Sequence, residues 1–493
     1  MTGVGVDTAV GEEGLPAGWV RARLGELGTW YGGGTPSKRR PDFWADGTVP
    51  WLSPKDMGED VLSETQDKIH DSALEESPVR LVPANSVALV VRSGILERKV
   101  PVALVPFPVT LNQDMKAIYP HKGIDARWLA WVIRSQERFI LDNCRKRGTT
   151  VASLEIPWLM DVELSIPPLA EQHRIVAKLN EQIAHIKTGE AAARSALAGS
   201  IRLAEHVTGQ GACGALGDED RFPADLAVAD ADDGDLPALP KGWHWSRLGE
   251  IAAVVGGVTK DSKKQGDPAY VEVPYLRVAN VQRGKLLLDN VTTIRVPSAK
   301  AEALRLEKGD VLLNEGGDRD KLGRGWIWEG QVDDCIHQNH VFRARVIGEV
   351  IHPTLLAWHA NSFGKSWCER NGKQTVNLAS ISLRKIKLLP VPIPPQELQE
   401  QLVKEIEGHL ENVRVGHSLA EGAFAQAQEL RAALLCTAFT GALVPQDPAD
   451  EPASVLLDRI RVEREAAAKA PRKRAPRKET RKPAPPGQEE LPQ

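Results

Sequence analysis

Cysteine is scarce in this 493-residue chain, and none of the five (Cys144, Cys213, Cys335, Cys368, Cys436) belongs to a Cys-x-x-Cys pair. An odd number of scattered thiols argues against both a disulfide framework and a structural zinc site. No apolar run approaches the roughly 20 residues of a membrane span, and residues 1–14 lack the apolar core of a secretory leader. A soluble, cytoplasmic protein with no membrane partner is expected. Catalytic signatures are missing as well. There is no Gly-x-x-x-x-Gly-Lys-Ser/Thr phosphate loop, no Gly-x-Ser-x-Gly elbow, no His-Glu-x-x-His, and no Asn/Asp-Pro-Pro-Tyr/Phe of an adenine methyltransferase. The nearest approach to a metal site is Cys335, His337 and His340, where the first half of the chain offers only Leu111-Asn112-Gln113-Asp114. No metal, cofactor or catalytic residue is therefore expected in this chain.

What the sequence does have is a long repeat. Leu15-Pro16-Ala17-Gly18-Trp19 and Arg23-Leu24-Gly25-Glu26-Leu27 return as Leu239-Pro240-Lys241-Gly242-Trp243 and Arg247-Leu248-Gly249-Glu250-Ile251, offset by 224 residues. Gly32-Gly33 and Val49-Pro50-Trp51-Leu52 return at the same offset as Gly256-Gly257 and Val273-Pro274-Tyr275-Leu276. Further on, Ile166-Pro167-Pro168 matches Ile393-Pro394-Pro395 at an offset of 227. A period this long is a duplicated domain, since solenoid repeats are far shorter. Two similar units imply a pseudo-twofold object that handles two similar but non-identical things.

Each repeat has two parts. Over 15–165 and 239–392, short apolar runs such as Val87–Val91 and Asp310–Leu313 alternate with Gly, Pro and Asn and a few helical segments, which predicts two α+β domains. Over 166–209 and 393–445 the apolar residues follow helical spacing: Val176, Leu179, Ile183 and Ile186 in one, Leu402, Ile406, Leu410 and Val413 in the other. These seams predict long helices that bury against each other as an antiparallel coiled-coil spacer. Residues 210–238, rich in Gly, Ala and Asp, are expected to be a flexible linker, with disordered segments at 1–14 and 446–493. The first spacer ends in Thr208-Gly209-Gln210-Gly211, unlike the second.

A net charge of −4 speaks against a nucleic-acid binder, but a DNA site needs only one basic face. Acidic residues concentrate at 218–220 and 230–235, whereas basic clusters lie inside the repeats and in the last stretch. The side chains suited to reading base edges or gripping phosphates lie on glycine-bearing loops. In the first repeat the candidates are Thr35, Ser37, Lys38, Arg39, Lys55, Arg92, Gln113, Lys116, Arg145 and Arg147. In the second they are Thr259, Lys260, Arg277, Asn280, Arg319, Lys321, Arg324, Gln338, Asn339 and Lys373. The plain alternative for each is a solvated loop residue.

At Gly33-Gly34-Thr35-Pro36-Ser37, Trp44 and Val49–Met57 the chain resembles the specificity subunit of a Type I restriction–modification system. Gly309–Leu313, Gly316-Gly317-Asp318, Lys321–Gly325 and His337–His340 resemble a second target-recognition domain, and Ile393–Glu397 and Leu434–Pro445 resemble the family's helical regions. The resemblance covers about Leu15 to Pro445. It implies that each recognition domain reads one half of a bipartite, asymmetric site in double-stranded DNA, and that the helices set the unread gap. Two methyltransferase subunits would dock on the helices with S-adenosylmethionine, and two restriction subunits would add ATP- and Mg-dependent translocation and cleavage. The chain itself would be non-catalytic. Its basic segment beyond Pro445 falls outside the family pattern. Two rival readings are a coiled-coil scaffold that binds proteins and a metal-dependent nuclease using Glu315, Asp318 and His340.

Overall fold

The computed structural model describes residues 14–469 apart from 147, 149–150, 217–219, 224–225, 227–229, 318–320 and 375–378. The chain divides into two compact units. The first holds residues 1–189 and 426–493, and the second holds 190–425. Each unit thus takes one α+β domain and an end of each of two long helices, Leu169–Ala212 and Gln396–Phe439.

The first unit is built on a four-stranded antiparallel sheet in the order Gly28–Gly32, Met115–Pro120, Ser86–Val90, Val102–Val105. Ser86–Val90 is buried at every position, as its unbroken apolar run requires in a strand covered on both faces. A smaller sheet sets Val49–Leu52 between Asp67–Ile69 and Thr110–Leu111, the latter pairing in parallel. The helix Ala126–Ser135, capped by the Asp125 carboxylate accepting from the Trp128 N–H at 2.8 Å, lays Trp128 and Leu129 into the core.

The second unit repeats this plan. Its sheet runs Ala252–Val255, Val341–Val346, Val311–Asn314, Gly325–Ile327, beside a small sheet with Tyr270–Leu276 at its centre and Ile336–His337 in parallel. Both units are closed by a two-stranded ladder that joins the domain's first and last strands, Val20–Arg23 with Glu163–Ile166 and His244–Arg247 with Pro390–Ile393.

The long helices depart from the expected seam in one respect. Val176, Leu179, Ile183 and Ile186 are buried in the same cluster as Trp128 and Ile133, and Ile406 is buried with Trp358 and Leu389. The seams therefore serve the recognition domains as well as helix pairing. Within the second unit the helices meet directly: Ser200 Oγ lies 2.7 Å from His417 Nδ1, and Arg194 stacks 5.0 Å above the Phe424 ring. From Arg194 to Ser200 the numbering rises along one helix while that of the neighbour falls from Phe424 to His417, the antiparallel arrangement.

Three boundaries read from sequence need correction. The first long helix continues through Gly209 and Gly211 to Ala212, because a side chain at 211 would meet Ile406 at 2.5 Å and only glycine lets the backbone this close. Its closing turn is Cys213-Gly214-Ala215-Leu216, the counterpart of Thr440-Gly441-Ala442-Leu443. Both glycines adopt positive φ (67° and 80°) against Pro240 and Pro16 respectively. The segment expected to be a flexible linker is held on the second unit: Arg221–Phe222 pairs with Leu239–Pro240, and Asp233 is ion-paired with Arg247. Asp233 meets both the Arg247 guanidinium and the Trp367 indole and is withdrawn from solvent, whereas Asp220, Asp230, Asp232 and Asp235 are exposed. Finally, the tail expected to be disordered contains a helix, Ala453–Lys469, whose Ala453, Leu456, Leu457 and Ile460 fall at helical spacing into the first unit's core. The expected disorder at 1–13 and 470–493 lies outside the described residues.

Candidate nucleic-acid interface

In the first unit, the turn Asn112–Asp114 sits where the two sheets converge. The Asn112 N–H donates to the Leu52 carbonyl (2.7 Å), and the Gly34 N–H donates to the Leu111 carbonyl (2.8 Å). The Asp114 carbonyl accepts from Val91 and Arg92 N–H (2.9 and 3.3 Å), and Arg92 Nε donates to the Asp114 carboxylate at 2.5 Å. A Cβ at Gly33 would stand 1.7 Å from the Asn112 carbonyl. Gly33 is therefore required for the chain to pass this turn. Around the turn gather exposed Gln113, half-buried Lys116 and Thr35, and the strand edge where Arg92 pairs with Ser153. Arg145 lies on the neighbouring segment, bound to Glu97 at 2.9 Å.

The second unit builds the same turn from different residues. The Gln338 N–H donates to the Leu276 carbonyl and the Val258 N–H to the His337 carbonyl (2.8 and 2.9 Å), and a Cβ at Gly257 would lie 2.0 Å from that carbonyl. Here the Glu315 N–H donates to the His340 carbonyl, and the side-chain pair is His340 Nδ1 to Glu315 at 2.6 Å. An Arg–Asp pair in one unit is replaced by a His–Glu pair in the other on one backbone frame. Half-buried Gln338 and Asn339 stand on the turn, exposed Thr259 and Lys260 beside it, and exposed Lys373 on a strand paired with Ala379–Ser380, which also pairs with Gly316–Gly317. Half-buried Lys321 packs its stem toward Gly317, and the Arg324 carbonyl accepts from Asn314.

Several candidates lie elsewhere or serve the fold. Ser37, Lys38 and Arg39 are exposed on a separate loop, where Ser37 Oγ accepts from the Arg39 N–H. Lys55 is exposed and ion-paired with Asp67 at 2.8 Å. Asn280 is buried and structural: its side chain accepts from the Arg277 N–H and donates to the Leu287 and Asn290 carbonyls, so it cannot reach a base. The Arg277 side chain is half-buried beside it. Arg147 and Arg319 lie outside the described residues.

The reading of residues missed Asp114 and named Glu315 only as a ligand in the rival nuclease reading, whereas each holds the turn in its unit. A signal for the first was present: the Asp114 N–H donates to Asn112 Oδ1 at 2.7 Å, the local turn that an Asn favours two residues ahead.

The Cys335, His337, His340 set does not converge. Burial pushes the Cys335 thiol up to about 12 and His337 down to about 4, and His337 Nδ1 is held at 2.6 Å by the Val341 carbonyl. No cluster of three ligating groups exists among the described residues. No helix among them is long and apolar enough to cross a membrane.

A family model for the Type I restriction modification DNA specificity domain matches residues 16–193 and again 240–413. The chain belongs to this family. The EcoR124I/EcoR124II specificity subunit of Escherichia coli is 46% identical over 158 residues, which are 32% of this chain and 39% of that one. The MjaIX specificity subunit of Methanocaldococcus jannaschii is 24% identical over 56% of this chain and 61% of its own. The StySPI specificity subunit of Salmonella potsdam is 23% identical over 94% and 99%. The match to the first two thus spans less than two thirds of their lengths. The fold is shared with the HsdS subunit of Thermoanaerobacter tengcongensis (TM-score 0.50, 18% identity, 88% of this chain and 99% of that one). It is shared more closely with a chain from a type I R-M system complex (TM-score 0.63, 18% identity, 87% and 99%). Both copies of the turn, at Asn112–Asp114 and Gln338–His340, lie within the stretches matched by the DNA specificity domain model.

Proposed function

We propose that this chain selects the DNA site for a Type I restriction–modification complex and performs no chemistry itself. Each unit reads one half of a bipartite site through the side chains around its turn, and the two long helices set the gap and dock two methyltransferase subunits. Those partners supply S-adenosylmethionine and flip adenines into their own pockets, while two restriction subunits supply ATP- and Mg-dependent cleavage.

The observation that carries this is one backbone frame presented twice with different side chains, Asn112-Gln113-Asp114 against Gln338-Asn339-His340. Forked amide ends suit adenine N6 and N7, and Arg or Lys suits guanine O6 and N7. Because the two sets differ, the two half-sequences should differ, and a palindromic motif would count against the reading.

The test is to express the chain with its methyltransferase partner in a host lacking adenine methylation and to map N6-methyladenine by single-molecule sequencing. One motif with two unlike halves and a fixed gap is expected. A stable complex that leaves the genome unmethylated, with a methyltransferase proven competent beside another specificity subunit, would favour a protein-binding scaffold instead.

A further inference from the structure

Asp60 stands in the stretch where the two repeats diverge most, on the segment that runs beside the sheet's edge strand Val102–Val105. Its backbone carbonyl accepts from the Leu104 N–H at 3.0 Å, which fixes it to the recognition domain. Its carboxylate reaches three cations: Arg134 at 3.2 Å, Lys187 at 2.5 Å and Arg431 at 4.0 Å. Arg134 belongs to the recognition domain, Lys187 to the first long helix and Arg431 to the second. Arg134 is fixed in turn, donating to the Asp60 and Val102 carbonyls and lying 4.7 Å above the Trp131 ring. Burial acts to raise the Asp60 carboxyl, but Arg134 and Lys187 outweigh it and hold the group below the usual carboxylate range.

The second unit keeps a cation at one of these positions but has no carboxylate at the place of Asp60. The offset of 224 places Gly284 where Asp60 stands, and the offset of 227 places Asn361 for Arg134, Arg414 for Lys187, and Ala204 for Arg431. Arg414 pairs within its own helix, with Glu411 at 2.7 Å, and Asn361 uses its carbonyl to accept from Arg283. The space differs accordingly. In the first unit the cavity lined by Asp60, Arg134, Asn180 and Lys187 measures about 290 Å³, whereas the second unit has a groove of about 820 Å³ lined by Gly284, Asn361, Leu410 and Arg414.

We propose that Asp60 is a positioning residue for site selection, latching the first recognition domain to both long helices so that the unread gap keeps a single length. The charge geometry supports this role over a merely stabilising one. One carboxylate ties three elements at once, so neutralising it removes the ionic link between the domain and the two helices and leaves the apolar packing of Val176, Leu179, Ile183 and Ile186 against that domain in place. A small change of angle between a recognition domain and its spacer is read at the DNA as a step of one base pair, about 3.4 Å of rise per strand.

This inference rests on the proposed reading of the chain, and the same methylation map separates the two. The complex is prepared with the wild-type chain, with Asp60→Asn, with the double variant Lys187→Gln/Arg431→Gln, and with Asp60→Glu. The double variant leaves Asp60 paired with Arg134, so it tests the latch even if Asp60→Asn folds poorly. The wild type should give one gap length. Asp60→Asn and the double variant should keep both half-sequences but add an adjacent gap length at a tenth or more of the main one, and Asp60→Glu should restore the single length. A bipartite motif whose gap stays single in the double variant, or whose first half-sequence is lost there, overturns the latch alone. A wild-type complex with no bipartite motif overturns the underlying reading, and the latch with it.

Discussion

The two units share a strand order, a pair of hydrogen-bonded turns and a pair of indispensable glycines, yet they place their charged groups in opposite ways. The first unit fixes its domain to the helices through Asp60 and leaves Arg23 on the surface, paired with Asp161 while both side chains stay about 60% exposed. The second unit has no counterpart of Asp60 but buries the equivalent Arg247. Arg247 is 5% exposed, bound bidentately to Asp233 at 2.8 and 2.9 Å and to the Leu388 carbonyl, and Asp233 also accepts from Trp367 Nε1. The same arginine in the repeat thus has two different jobs. Burial decides between them, because an ion pair in water gains little whereas removing one member of a buried pair strands the other.

The sharpest way to break this comparison is to truncate both arginines. Arg247→Ala should destabilise its unit by about 3–5 kcal/mol, since it leaves a buried carboxylate unpaired. Arg23→Ala should cost under about 1 kcal/mol. Thermal or denaturant unfolding of the two variants reads the difference, and equal losses would show that the segment carrying Asp233 does not hold the second unit together.

A second difference is acid sensitivity. His337 and His359 are buried in the second unit with their protonation depressed to about 4, by burial in both cases, where the first unit has Leu111, which pairs with Leu52 as His337 pairs with Leu276, and Val132, 227 residues earlier than His359. A folded-state value below the unfolded 6.5 means that, between those pH values, the unfolded chain holds more protons. Stability present above about pH 6.5 is therefore lost as pH falls toward about 4. At about pH 5 the loss should be about 2 kcal/mol per histidine, since each tenfold difference in proton affinity between the two states is worth about 1.4 kcal/mol. Protease protection or hydrogen exchange followed in each unit at neutral and mildly acidic pH should show the second unit loosening first. Replacing His359 by Val, its counterpart in the first unit, should flatten that response, and an unchanged pH profile in the variant would remove His359 as its source.

Much of this was legible in the sequence, and the exceptions have a common cause. The repeat offsets located both domains, and the 3,4 spacing located both long helices, because periodicity survives in any one sequence. Thr35, Gln113, Lys116, Gln338 and Asn339 could be nominated by type and by their place in the repeat. What stayed hidden depends on partners distant in sequence. Asn280 reads as a base-reading amide until its three backbone partners are seen, and nothing in the sequence shows that Gly33 must be glycine to pass the Asn112 carbonyl. The acidic stretch around Asp233 and the C-terminal helix were assigned by composition alone, which cannot register that Arg247 waits for one and an apolar groove for the other. The spacing of Ala453, Leu456, Leu457 and Ile460 was there to be read, but the basic run that follows masked it.

A smaller effect separates the units at the level of bases. Gln113→Ala should relax the first half-sequence at one position and leave the second intact, and Gln338→Ala should do the converse. Each would cost about 1–3 kcal/mol of discrimination if the amide pairs with a base edge. Methylation maps of the two variants test this directly. Weaker binding to every sequence alike would instead place these amides on phosphates.

The smallest effect concerns the basic run after the C-terminal helix, which belongs to the first unit by its attachment. Residues 471–482 carry seven Lys and Arg against one Glu, in a chain whose net charge is −4. The described core contacts of the helix are Ala453, Leu456, Leu457 and Ile460, so a deletion from Glu463 onward keeps them in place and removes the charge. Each phosphate that the protein no longer neutralises lowers the log–log salt slope of binding by about 0.9, which weakens binding at low salt and fades as salt rises. The deletion should therefore leave the methylated motif unchanged while reducing the slope by about 2–3, as expected for two or three phosphates set free. Because the helix is anchored on the first unit alone, footprinting should show reduced protection on the flank of that unit's half-sequence. Symmetric loss on both flanks, or a slope unchanged by the deletion, would deny the run its part in holding DNA.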